Sequence, residues 1–206
     1  IDTIQDYKTN NLLKFGAAFR YSTLSTLIDS TETSVISNLT TLTAKKGLEP
    51  SITANNAYDI SFNNPIFNPS ATYEGAVTSS EFAFTDATGE ARTSCFMDDL
   101  DGTLRIFFLS GSDKVILSNT AGTVAYSNGF ISISSFKPDS FLGATLDFTI
   151  TPAQNDLTPI RNQIFEIANT NISITMQDDT STGTTTAAET TASTTTGTTT
   201  GSSTTY

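Results

Sequence analysis

The stretch DDLDG, Asp98 to Gly102, carries the residue types of a calcium-binding loop, with clustered carboxylates running into a glycine that permits a sharp turn. Ligand spacing decides against that chemistry. Setting Asp101-Gly102 at loop positions five and six puts Asp99 at position three, but Met97 at position one and Phe108 at position twelve, where a bidentate glutamate belongs. Two key ligands are missing, and the residues that follow read as a strand. The stretch is expected to be a turn between strands.

Nucleophilic and acid–base chemistry fare no better. The chain has no histidine, which removes the usual general base near neutral pH, the usual triad member and the usual zinc ligand. Its one cysteine, Cys95, rules out an intrachain disulfide or a multi-cysteine metal site. Flanked by Thr93, Ser94 and Phe96 in a strand, it reads as a small buried core residue. Carboxylate pairs occur as they do on any acidic surface, and none is marked by context as buried and perturbed. The string GTTTGSST near the C-terminus lacks the lysine of a phosphate-binding loop. Asn38-Leu39-Thr40 and Asn171-Ile172-Ser173 match the glycosylation sequon, which matters only in a eukaryotic secretory pathway. Lys45-Lys46 is too short for a basic patch. The sequence therefore predicts no catalytic, cofactor-binding or metal-binding residues, and no enzymatic activity.

The charge balance narrows the partners. With 21 acidic against 10 basic residues the net charge is −11, so phosphate backbones and anionic lipid surfaces should repel the chain. Neither nucleic acid nor membrane is an expected partner. No stretch approaches the roughly 20 apolar residues of a membrane helix. No charged and apolar leader opens the chain, which starts at Ile1; the expectation is a piece of a longer polypeptide, or one from which something was removed.

The elements that would position any site fall into three textures. In NNLLKFGAAFRYSTLSTLIDST, Leu13, Ala17, Tyr21, Leu24 and Ile28 recur at helical spacing, with Gly16 weakening the early turns and Asp29-Ser30-Thr31 ending the helix. SVISNLTTLTAKK then reads as an extended β-branched run ending near Lys45-Lys46, and Pro50 marks a boundary. Beyond it Tyr58, Ile60 and Phe62 alternate, as do Phe82 and Phe84, Leu104, Ile106 and Phe108, and Leu146, Phe148 and Ile150. Turn-forming clusters punctuate these runs near Asp86–Gly89, Asp98–Gly102, Ser110–Asp113 and Asn119–Gly122. In GTVAYSNGFISIS, Asn128-Gly129 predicts a two-residue type I′ hairpin pairing Ser127 with Phe130, Tyr126 with Ile131 and Val124 with Ile133. NISITMQ adds an extended run with Ile172, Ile174 and Met176 on one face. Among the aromatics, Phe15, Phe19, Phe136 and Phe141 are candidates for intersubunit contacts as well as core. Fifteen of the 27 residues from Thr180 to Tyr206 are threonine, and none is Ile, Leu, Val, Phe or Met. Such a segment cannot bury enough apolar surface to fold, so a disordered or extended tail is predicted.

The predicted fold class is thus α+β, mainly β: an antiparallel meander, sandwich or barrel preceded by a helix-strand segment. Predicted boundaries are 1–50 for the helix-strand segment, 51–179 for the β domain and 180–206 for the tail.

Three stretches in order carry a resemblance. LLKFGAAFRYSTLSTLIDSTETSVISNLTTLTAKKGLEP resembles the helix, Ile-Asp pair and SN strand that close a baseplate-J-like domain. AGTVAYSNGFISIS and ITPAQNDLTPIRNQIFEI resemble the late hairpin and C-terminal strand region of the large baseplate wedge subunit of contractile-tailed myophages, the gene-six product of T-even-type phages. The resemblance spans roughly Leu12 to Gln177 and leaves out the Thr-rich tail. It implies a longer chain of which this is the C-terminal region, located in the virion's tail baseplate and assembled in the host cytoplasm. It also implies a structural role: copies pair and join into a ring around the tail hub, alongside other wedge proteins and the sheath initiator. From a different class, the composition also admits a secreted adhesion or carbohydrate-binding β module on a Thr-rich stalk.

Overall fold

Gly16 adopts a φ of +73°, and the helical stripe expected around it splits there. The computed structural model of the chain describes residues 1–159 and 163–176, so the tail from Thr180 to Tyr206 and the state expected of it lie outside the described residues. A short helix α1, Asp2–Tyr7, runs into a wider π turn, Lys8–Leu12. Helix α2, Tyr21–Asp29, begins only after the glycine. It ends where the Ser30 and Thr31 hydroxyls donate back to Leu27 O. Tyr7, Leu12, Phe19 and Leu24 bury against Leu157 in a small core, joined by Phe165 and Ile167.

The β-branched run is strand-like later than its composition suggests. Thr33–Thr43 carries no ladder with a described neighbour, and the strand β1 covers Ala44–Leu48. Nine more strands follow: β2 Asn56–Ser61, β3 Glu74–Ser79, β4 Phe82–Thr85, β5 Ala91–Leu100, β6 Thr103–Ser110, β7 Asp113–Ala125, β8 Phe130–Phe136, β9 Ser140–Phe141 and β10 Leu146–Ile150. All pair antiparallel, in the order β1-β10-β3-β5-β6-β7-β8-β2, with β4 bridging β5 and β9. The fold class is the mainly-β, α+β arrangement that alternation in the sequence predicts. The predicted alternating runs become β2, β4, β6 and β10. The extended run at Ile172–Met176 forms no strand among the described residues.

The sheet curls until its ends approach. Lys46 Nζ of β1 donates to Ser61 O of β2 at 3.0 Å. Past β2, Ile66 forms a bridge with Pro152, and Phe67 N–H donates to Thr151 O. The concave face holds the main core, in which Val77, Phe82, Cys95, Met97, Leu104, Ile131, Ile133, Phe136, Leu146 and Phe148 are all buried. Of the four phenylalanines singled out as contact candidates, Phe19 and Phe136 are core, Phe141 packs partly against it, and Phe15 is 72% exposed.

Two local expectations are corrected. Asn119–Gly122 does not break the chain: β7 runs straight through it, and the register against β6 shifts there instead. A β-bulge absorbs the extra residues without ending a strand. The β7–β8 hairpin pairs Ala125 with Phe130 and Val124 with Ile131, two residues off the predicted register. Its loop is therefore Tyr126–Gly129, not Asn128-Gly129 alone. Of the two only Gly129 has positive φ, at +67°. The longer loop wins because its carbonyls are used: Tyr126 O accepts from Ile66 N–H and Gly129 O from Phe62 N–H, both at 2.8 Å. A shift of two preserves side-chain parity, so Val124, Ile131 and Ile133 still face the core. A β-carbon at Gly129 would lie 2.1 Å from Asn64 O. Gly129→Val should therefore cost more than about 2 kcal/mol, from positive φ and backbone collision together. Urea unfolding measures it, and an unchanged midpoint would mean the loop is not docked on Asn64.

Candidate functional site

Every acidic residue in DDLDG has a structural partner or position. Asp101 and Gly102 form the tight β5–β6 turn, with φ of +47° and +77°, as expected of a turn between strands. Asp98 and Asp99, however, lie within β5 and are 2% and 0% exposed. Consecutive strand residues face opposite sides, so the two carboxylates meet different surroundings.

On the outer face Asp98 stands directly across from Arg105 of β6. Arg105 Nε and Nη2 grip its carboxylate as a fork at 3.0 and 2.7 Å. Lys114 of β7 adds a contact at 2.5 Å to Asp98 and another at 3.0 Å to Glu74 of β3. Arg105 Nη1 reaches Glu74 at 3.3 Å. Two cations thus balance two anions. Burial opposes the charges on Arg105 and Lys114, yet hydrogen bonds to Asp98 and Glu74 outweigh it and raise both pKa values. Hydrogen bonds from Arg105 and Lys114 hold the Glu74 carboxyl below its usual range. The Lys114 ammonium also sits 4.6 Å from the Phe107 ring centre, and Phe107 stacks on Phe96.

On the core face Asp99 meets no cation among the described residues. It accepts from Val77 N–H at 2.6 Å and from the Tyr126 hydroxyl at 2.5 Å. The Tyr126 oxygen in turn accepts from Gly102 N–H at 2.8 Å. Burial pushes the Asp99 carboxyl up, against the pull of these hydrogen bonds. Burial and the bond to Asp99 push the Tyr126 phenol up to about 12. This chain of donors ties β3, the β5–β6 turn and the end of β7 together. Sequence reading places Asp98 and Asp99 in an open turn; their partners Arg105, Lys114 and Tyr126 come from other strands, and only a cross-strand register could reveal them.

The remaining sequence candidates are structural too. Cys95 is fully buried, as its strand context predicts, and burial raises its thiol pKa, away from the reactive thiolate. The Asn38 amide is occupied, donating to Ser25 O, Ser25 Oγ and Asp29 Oδ1 of α2. Asn171 lies in a 3₁₀ turn, Asn169–Asn171. Lys45 pairs with Asp147 at 2.8 Å. Among the described residues no group of His, Cys, Asp and Glu could hold a metal, and no helix is long and apolar enough to cross a membrane.

The described surface carries exposed apolar side chains along the chain, Leu142 and Met176 among them, and several lie in the N-terminal segment. Phe15, Ile36 and Leu39 are 72%, 77% and 96% exposed. Leu13 and Leu27 join them. Helix α2 presents no side-chain cap of its own; Asp156 supplies it, accepting from Tyr21 N–H at 2.9 Å and from Arg20 Nη1 at 2.7 Å. The segment is thus capped by a residue far along the chain, while these apolar side chains are uncovered among the described residues.

That segment is where a similarity to known proteins falls, and the similarity is to structural proteins of phage tail baseplates. Residues 1–46 match the family described as baseplate structural protein gp6, C-terminal domain III, which supports a gp6-like baseplate wedge family here, as the sequence resemblance implies. The two later stretches of that resemblance lie outside the matched residues. No curated protein matches the chain. The match supports a structural role in the virion, in contact with other baseplate proteins.

Two predictions follow from the buried carboxylates. Arg105→Met should cost about 1–3 kcal/mol by taking the two-pronged grip from buried Asp98 and leaving it to Lys114, whereas Asp98→Leu combined with Arg105→Met should cost clearly less. Equal losses in chemical denaturation would show that Asp98 does not need Arg105. Tyr126→Phe should cost about 1–3 kcal/mol at neutral pH, because it leaves Asp99 and Gly102 N–H short of a partner. The folded phenol titrates at about 12 against an ordinary 10.0. A raised pKa contributes stability that is full below pH 10 and lost as pH rises towards 12. The stability gap between wild type and Tyr126→Phe should therefore narrow over that window, and a constant gap would remove the phenol from the network.

Proposed function

We propose that the chain is the C-terminal region of a baseplate wedge subunit that works by contacts alone, without catalysis. In this reading copies of the subunit associate and join into a ring around the tail hub. Other wedge proteins and the sheath initiator are its neighbours, and assembly takes place in the host cytoplasm. Its mechanism is mechanical: contacts hold the baseplate in one arrangement, and their repacking permits the switch that releases sheath contraction. Residues 1–50 would act as the contact-bearing segment, 51–179 as the β body and 180–206 as an appendage outside both.

The observation that carries the reading is the coincidence of two facts on one segment. Residues 1–46 match a baseplate structural family, and the same stretch bears Phe15, Ile36 and Leu39, each more than two-thirds exposed. Exposed apolar side chains suit a surface that a partner covers, and Leu142 and Met176 extend them beyond this segment. The buried carboxylates support the absence of catalysis from another side: Asp98 and Asp99 are both engaged in holding strands together. Mass spectrometry of purified virions should recover the chain, and gold-labelled antibody against residues 51–159 should mark the baseplate end of the tail. Virions that lack the chain, or labelling elsewhere on the particle, would overturn the assignment.

A further inference from the structure

Hydrogen bonds divide the described residues into two groups. Residues 1–42 bond to one another and to residues 156–159 and 163–167. Phe19 exchanges backbone bonds with Leu157 at 2.8 and 3.1 Å, Asp156 accepts from Arg20 and Tyr21, and Ile167 O accepts from Gln5 and Lys8. Among the described residues, none of their hydrogen bonds or ion pairs reaches residues 44–153. Residues 151–153 belong to the other group, since Phe67 N–H donates to Thr151 O and Ala153 N–H to Pro65 O, both at 2.8 Å. Apolar packing follows the same division. Among the described residues, the small core around Tyr7 and Leu157 and the main core of the sheet share only the half-buried Ala44.

One side chain crosses the division. Asn64, 9% exposed, accepts from Thr158 N–H at 3.0 Å through Oδ1 and donates to Thr158 O at 2.9 Å through Nδ2. The amide thus exchanges both bonds with one backbone residue, as a neighbouring strand would. Its own side is fixed. Nδ2 also donates to Phe62 O at 2.8 Å, and the adjoining backbone is seated on the β7–β8 loop by Phe62 N–H to Gly129 O and Ile66 N–H to Tyr126 O. Asp99 holds Tyr126 in turn. The Thr158 side is not built into the sheet. It is reached through residues 153–156, a run of exposed bends, and residues 33–43 lead into β1 without a ladder among the described residues.

We propose that residues 1–42, with 156–159 and 163–167, form a module that swings on the sheet, and that the Asn64 amide is the clasp holding it in one orientation. The two cores part at the clasp with little apolar surface exposed, because Ala44 alone packs on both. Local openings run along boundaries of this kind. Release costs the bonds of one buried amide, whose partner groups on exposed Thr158 can turn to water. The inference deepens the reading above: the module contains most of the residues that match the baseplate family, so its swing is the repacking step. Only that use of the swing rests on the reading.

The experiment uses the full chain, with nitroxide labels at Ser22→Cys in α2 and Ser112→Cys in the β6–β7 turn, both exposed. Cys95 is buried and takes no label. With Asn64 intact, pulsed electron spin resonance should give one narrow distance distribution. Asn64→Leu keeps the bulk and removes every bond of the clasp, and should broaden the distribution by about twofold or more as new orientations become populated, with the circular dichroism unchanged. Thr158→Pro removes the N–H that Asn64 Oδ1 accepts, leaves the buried residue in place, and should broaden the distribution from the other side of the clasp. Narrow distributions in both variants overturn the proposal, and so does a broad one with Asn64 intact. Broadening that comes with loss of helical circular dichroism means melting rather than swinging and overturns it as well. If Asn64→Leu does not fold at all, Thr158→Pro decides alone. The measurement needs no virion, so a failed clasp leaves the baseplate reading to the labelling experiment, and virions that lack the chain remove that reading while the clasp stands.

Discussion

Two consecutive carboxylates buried on opposite faces of one strand set the terms for the rest of the sheet. A charged group removed from water must find either an opposite charge or several hydrogen-bond donors. Asp98 takes the first route through Arg105 and Lys114, and Asp99 the second through Val77 N–H and Tyr126. These partners lie on β3, β6 and β7 and in the β7–β8 loop, so β5 can be buried only with its neighbours in one register. A slip of one residue would exchange the two carboxylates between faces and strand both. The pair therefore serves specificity of pairing as much as stability, in a sheet whose β3–β5 and β6–β7 ladders already contain irregular steps.

The N-terminal segment shows the complementary arrangement. Its small core of Tyr7, Leu12, Phe19 and Leu24 is closed by Leu157, and its second helix is capped by Asp156. The Tyr7 hydroxyl donates to Arg20 O and accepts from Arg20 N–H, fixing the entry to that helix. Residues 1–46, the part that matches the baseplate family, are thus anchored inwardly by residues more than a hundred positions away, while Phe15, Ile36 and Leu39 stay exposed.

How much was legible in the chain itself depended on the range of the interaction involved. Alternation of large apolar residues located β2, β4, β6 and β10, because a half-buried strand writes its two faces into neighbouring positions. The glycine at 16 marked where the helical pattern would split, and Cys95 was readable as core from its strand context alone. Missing histidine and the broken calcium spacing turned attention from catalysis to structure. The resemblance over residues 1–46 was likewise carried by local order: a helix, an Ile-Asp pair and a β-branched run.

What the tertiary structure alone decided is everything settled by a partner distant in sequence. The hairpin loop grew from two residues to four because Phe62 and Ile66 supplied donors for its carbonyls. The Asn119–Gly122 cluster became a bulge because β6 continued alongside it. The run at Thr33–Thr43, a strand by composition, found no described neighbour to pair with. Asp98 and Asp99, exposed turn residues on local grounds, were buried because Arg105 and Tyr126 stood across the sheet from them. Composition and periodicity determine which face of each element prefers water, since that depends on each side chain's own transfer free energy. Register, caps and charge pairs depend on which backbone and side-chain groups the closed sheet brings within hydrogen-bonding distance, and those distances exist only after folding.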